Sequence, residues 1–137
     1  MEVKKFNKQT DYDELCNWWE DWGLPIHPKE ALSENGIVIS KDGINICSGF
    51  IYSTDSYITW FEFVIINKKT TKQQREGVLV KLLDCMVTKA KSMGFKIIMC
   101  FGLEEQDKVS PVLVKWRKEN IGDMTVKNIS HHYKIIN

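Results

Sequence analysis

Apolar positions change their period twice along this chain, and each change marks a different kind of element. Tyr12, Leu15, Cys16, Trp19 and Trp22 recur at helical spacing, and Gly23 with Pro25 closes the segment. Thr10 offers a hydroxyl cap for that helix, with Asp13 three residues on. Trp18 falls beside the stripe, which leaves it either partly exposed or walling a cleft. Between Pro25 and Gly36 there is room for a helix of about two turns, with Pro28 near its start.

From Gly36 the period shortens. Residues 37–40, 44–53 and 57–66 are rich in β-branched and aromatic side chains, and turn chemistry separates them. Lys41-Asp42-Gly43 predicts a tight hairpin, and Ser53-Thr54-Asp55-Ser56 the next reversal. These runs predict a three-stranded antiparallel meander, and residues 2–6 could add a short opening strand.

Residues 67–76 form a polar loop, after which the helical period returns. Val78, Leu79, Leu82, Leu83, Met86, Ala90 and Met93 form the apolar stripe, and Gly94 is the stop. Residues 96–101, KIIMCF, are a continuous apolar run suited to a strand buried on both faces. A strand, a crossover helix and a buried strand predict a β-α-β unit, so the strands ending at Ile66 and Phe101 should be parallel. Ser110-Pro111 opens a further helix through Glu119, and short strands at 124–127 and 131–136 close the chain.

At 137 residues, 43% of them hydrophobic, the chain fits one domain over 1–137 with one sizeable core. Nineteen basic side chains balance eighteen acidic ones, which removes the whole-protein signature of a nucleic-acid binder. The basic loop 68–75 is the only feature on the other side of that question. No apolar run nears the roughly 20 residues that span a bilayer. The charged start lacks a following apolar stretch, so neither a signal peptide nor membrane attachment is expected. Cys16, Cys47, Cys85 and Cys100 show no CxxC pairing and lie in apolar runs, as buried reduced thiols do; no metal site is expected. The expected setting is cytoplasmic.

The turn at 72–81, KQQREGVLVK, carries the chemistry. A helix N-terminus presents unpaired N–H groups and a partial positive charge, a natural seat for phosphate. Gly77 lets backbone come close to a ligand there, and Lys68, Lys69, Lys72 and Arg75 add charge around it. The plainer reading is a helix that starts at a glycine after a solvated basic loop. Its location between two parallel strands favours phosphate, because α/β folds bind ligands at such points.

The order of elements and this turn resemble the GCN5-related N-acetyltransferase (GNAT) superfamily over nearly the whole chain. The resemblance implies an α/β (α+β) fold: a mixed sheet of six to seven strands with about four helices around the β-α-β unit. The family's pyrophosphate signature is Arg or Gln, two residues, Gly, one residue, then Gly or Ala. The chain has Gln74-Arg75-Glu76-Gly77-Val78-Leu79, so Leu79 stands where the family has a small residue, and its size is expected to narrow the approach. Acetyl-CoA is the implied co-substrate, its pyrophosphate cradled by the backbone from Arg75 to Val80, with Lys72 and Gln74 alongside. Its pantetheine arm is expected along the end of the strand Phe63–Ile66, against Val64, Ile65 and Ile66, in the splay between that strand and residues 96–101. A backbone N–H on the strand would polarise the thioester carbonyl. The compact size and aromatic-rich start also resemble the small acetyltransferase-like proteins of bacteriophages.

Glu62 interrupts TWFEFVII, an otherwise apolar strand. A carboxylate taken out of water there gains the raised pKa of a general base, and the family often uses a Glu on this strand. The alternative is a solvated or ion-paired Glu. In the family a Tyr near the end of the last long helix protonates the leaving thiolate; Trp116 stands at that position here, with Tyr133 and Tyr52 as other donors. Trp18, His27 and Tyr133 are candidate acceptor-site residues. His131 and His132, adjacent on a strand, point to opposite faces.

Two classes of function follow. The first is an acetyl-CoA-dependent N-acetyltransferase acting on a small-molecule or protein amine. The second, suggested by Leu79 and Trp116, is a catalytically lapsed GNAT-fold protein that binds a partner protein. Neither the acceptor nor the oligomeric state is encoded legibly in the chain.

Overall fold

The computed structural model describes residues 1–103, 115, 119, 122–126 and 129–136. Its elements, in chain order, are β1 (Glu2–Lys5), α1 (Tyr12–Asp21), a 3-10 turn (Lys29–Ala31), β2 (Asn35–Lys41), β3 (Ile44–Tyr52) and β4 (Ile58–Ile66). There follow α2 (Lys72–Arg75), α3 (Val78–Ser92), β5 (Ile97–Leu103), β6 (Gly122–Val126) and β7 (Ile129–Ile135). The strands form one mixed sheet in the order β1-β2-β3-β4-β5-β7-β6. All neighbours are antiparallel except β4 and β5, which run parallel from Ile58↔Ile97 to Phe61↔Cys100 as the β-α-β reading requires.

Among the described residues each face of the sheet carries a core packed under a helix. On one face Val78, Leu79, Leu82, Leu83, Met86 and Ala90 of the predicted stripe pack on Ile39, Ile46, Ile51, Phe61 and Ile98, while Met93, its last member, is the half-buried C-cap of α3. On the other, Leu15, Trp18 and Trp19 of α1 pack on Phe6, Val38, Phe50 and Ile65. The β2–β3 hairpin turns through Asp42 (φ 53) and Gly43 (φ 77), the two positive values a two-residue turn of this hand needs.

Several expectations are corrected. The N-cap of α1 is Asp11 rather than Thr10, and it makes no side-chain cap bond. Its Oδ2 instead accepts from Asn7 N at 2.8 Å, while Asn7 Oδ1 accepts from Gln9 N at 2.9 Å, so a side-chain-bonded turn leads into the helix. The two-turn helix expected after Pro25 is a three-residue 3-10 turn. Trp18 is only 4% exposed, deep in the α1 core rather than partly exposed. The expected loop 67–76 contains the single turn α2. Of the cysteines only Cys47 is buried, and burial beside Cys85 pushes its thiol up to about 12; the other three are half-buried, and none of the four is in a disulfide. Of the expected helix at 110–119 only Lys115 and Glu119 are described, and both are helical; Trp116 lies outside the described residues.

Candidate functional site

The chemistry gathers where β4 leaves β5, and the departure has a local cause. Phe63 has φ +54, in the left-handed region that a bulky L-residue rarely enters. The β3–β4 register slips there: Ser48 faces Ile65, but Phe50 faces Glu62. One extra residue is thus inserted in β4, a β-bulge. Pairing with β5 stops at Phe61, while β5 continues to Leu103 against β7. Beyond the bulge the two parallel strands splay apart.

The backbone facing that splay follows from the ladder. Asn67 N donates to Ile46 O at 2.7 Å, and Ile65 lies opposite Ser48. Alternate residues of an antiparallel strand turn both backbone groups toward the same neighbour. Ile65 and Asn67 therefore address β3, and Val64 and Ile66 present N–H and C=O to the open edge.

The loop after β4 is built to deliver a helix N-terminus to the same end. Thr71 caps α2 in a reciprocal box, with Thr71 N to Gln74 Oε1 at 2.7 Å and Gln74 N to Thr71 Oγ1 at 3.2 Å. Arg75 binds the loop from within, through Nε to Thr70 Oγ1 at 2.9 Å and Nη2 to Lys68 O at 2.5 Å. Gly77 (φ +72) then reverses the chain and caps α3. A Cβ placed on it would meet only Met1 Cε at 3.8 Å, so the backbone angle, and not crowding, selects glycine. Lys81 N bonds Gly77 O at 3.1 Å, which leaves the N–H groups of Val78, Leu79 and Val80 without acceptors in the helix.

No family model matches the sequence, and no curated protein matches it. Solved structures do. Ard1 from Thermoplasma volcanium superposes with a TM-score of 0.77 at 10% identity, covering 99% of this chain and 97% of that one. An acetyltransferase of the GNAT family from Staphylococcus aureus gives 0.73 at 9% identity, covering 99% of each. The chain has the GNAT fold. Rv2747 from Mycobacterium tuberculosis, solved in complex with CoA, matches over 100% of both chains with a TM-score of 0.75 at 9% identity.

The GNAT-fold site of this chain suits a pantetheine-pyrophosphate ligand in two respects. The splay offers a backbone edge outside the β4–β5 ladder, and the left-handed Gly77 opens a helix start with only Met1 Cε, at 3.8 Å, near where a Cβ would stand. Leu79 does not narrow that approach: it is 5% exposed and buried in the α3 core, while Val80 is the exposed residue of the first turn. The basic side chains are differently employed than expected. Arg75 is bound within the loop, Lys68 Nζ reaches Asp21 O at 3.1 Å, and Lys69 Nζ stands 3.6 Å from Asp21 Oδ2. Lys72 is exposed, as is Glu76.

Glu62 lies on the α1 face beside the bulge, half-buried, and loss of water raises its pKa. Because of the extra residue, Phe63 returns to that same face and becomes the hub of an aromatic group. Its ring lies 4.6 Å from His27, 5.8 Å from Trp19 and 6.1 Å from Tyr52. His27 is half-buried against Phe63 and Trp19, held by its carbonyl, which accepts from Tyr12 Oη at 2.6 Å. Tyr52 Oη donates to Ala31 O at 2.8 Å, and burial together with the Glu62 charge raises its pKa, so it holds its proton firmly.

Tyr133 lies on β7 opposite Met99, in the strand beyond β5, with His131 and His132 on the same strand. Trp18 is not among the rings around Phe63. Among the described residues no group of acidic, His and Cys side chains could hold a metal, and no helix is long and apolar enough to cross a membrane. Sequence reasoning missed the bulge and the aromatic role of Phe63, and the Tyr12–His27 clamp. Nothing in the run TWFEFVII distinguishes the bulged position from a regular one.

Proposed function

We propose that this protein is an acetyl-CoA-dependent N-acetyltransferase. The observation that carries the reading is the bulge at Phe63, which opens the β4–β5 splay beside the Gly77 turn. A thioester held there supplies an activated acetyl group. The first turn of α3 cradles the pyrophosphate, and Val64 and Ile66 hydrogen-bond the pantetheine arm. The Val64 N–H stands nearest the bulge and takes the oxyanion role. Glu62 accepts the proton of the attacking amine as the new C–N bond forms and the C–S bond breaks. The thiolate leaves toward the end of β5. The likeness to the CoA-bound structure of Rv2747 supports this reading at the level of the fold.

The runner-up is a GNAT-fold protein without catalysis that binds a partner protein. Calorimetry separates the two. Binding of acetyl-CoA with turnover of a primary amine is expected; no heat at hundreds of micromolar acetyl-CoA refutes the enzyme reading.

A further inference from the structure

The backbone edge at the splay is not wholly free. Trp22, the residue that ends α1, donates its indole Nε1–H to Ile66 O at 2.8 Å. That carbonyl is one of the four backbone groups of Val64 and Ile66 facing the splay. The indole is held there from two sides. Gly23 (φ +68) closes α1 with paired bonds, Gly23 N to Glu20 O at 2.9 Å and Leu24 N to Trp19 O at 2.8 Å, which fixes where Trp22 stands. Lys68 Nζ sits 4.9 Å from the ring centroid, and its bond to Asp21 O ties the β4–α3 loop to the end of α1.

We propose that Trp22 gates the coenzyme channel: its indole N–H occupies the Ile66 carbonyl that the pantetheine arm needs, and binding exchanges one donor for the other. The inference rests on the coenzyme reading above. The indole serves a part-buried acceptor when no ligand is present, and it yields to an amide N–H of the arm. Affinity for coenzyme A is therefore reduced by the bond that must first be broken. One neutral hydrogen bond corresponds to a factor of about three to ten in the dissociation constant.

The test titrates coenzyme A itself into wild-type protein and Trp22→Phe, which keeps an aromatic ring and removes the donor. Calorimetry is expected to show the variant binding about three- to tenfold more tightly. In wild-type protein, the nitrogen-edited NMR signal of the Trp22 indole is expected to move on saturation and its hydrogen exchange to quicken. This second readout needs no variant to fold. Binding that is unchanged or weaker in Trp22→Phe, or an indole signal that stays fixed at saturation, overturns the gate alone. Absence of binding by both proteins overturns the gate and the coenzyme reading together.

Discussion

Substituting Phe63 separates the cost of its backbone from the worth of its ring. An L-residue in the left-handed region costs about 1–2 kcal/mol, which Phe63 bears at φ +54 and glycine does not. The ring is half-buried among His27, Trp19, Phe50 and Tyr52. Removing a fully buried Phe costs about 3–5 kcal/mol, so roughly 2 kcal/mol is a fair figure here. Phe63→Ala loses the ring and keeps the strain, a net loss of about 2 kcal/mol. Phe63→Gly loses the ring, adds about 0.5–1 kcal/mol of chain entropy and releases the strain, for a net loss nearer 1 kcal/mol. In a regular strand the order is reversed, with Gly below Ala by about 0.5–1 kcal/mol. Urea denaturation decides: with a slope of about 2 kcal/mol/M, the Gly variant should unfold roughly 0.3–0.5 M later than the Ala variant. An Ala variant that outlasts the Gly variant refutes the bulge, and with it the stated cause of the splay.

Glu62→Gln removes the proposed base and should lower kcat by about a hundredfold or more in a coupled thiol-release assay. Burial raises the Glu62 pKa in the folded protein, so the stability it contributes is fully present below the ordinary Glu range of about 4.3 and is lost as pH rises through the raised value. Thermal melts should accordingly show Glu62→Gln above wild type at neutral pH, with the gap closing in acid. Gly77→Ala forces a side chain into φ +72 and should cost about 1–2 kcal/mol in stability. Its Cβ also intrudes where phosphate approaches, so calorimetry should show coenzyme A affinity falling about tenfold. Thr71→Ala breaks the capping box of α2 and should cost about 1 kcal/mol in urea denaturation, with little change in the core.

Much of this architecture is written in periodicity. The stripe of α3 is legible because a helix buried on one face must repeat its apolar residues, and the structure buries Val78 to Ala90 as expected. The parallel pairing of β4 and β5 follows from handedness and the crossover length. Trp18 escaped that logic because α1 packs on the sheet over a wider arc than a single stripe, with Trp18 and Trp19 both inside. The corrected position of Leu79 has a similar origin. A signature compared residue by residue carries no direction, whereas the first turn of α3 points Leu79 into the core and leaves Gly77 and Val80 exposed. The bulge at Phe63 and the Trp22 bond to Ile66 arise from tertiary strain and long-range contact, for which residue type gives no local sign.

Coenzyme A is expected to bind at one place, the splay and the start of α3. Backbone amide NMR during a titration with coenzyme A tests it most directly. The largest shifts are expected at Val64, Ile66 and Gly77 to Val80, in one contiguous patch across two elements. Shifts confined elsewhere, or none at saturating ligand, would contradict it.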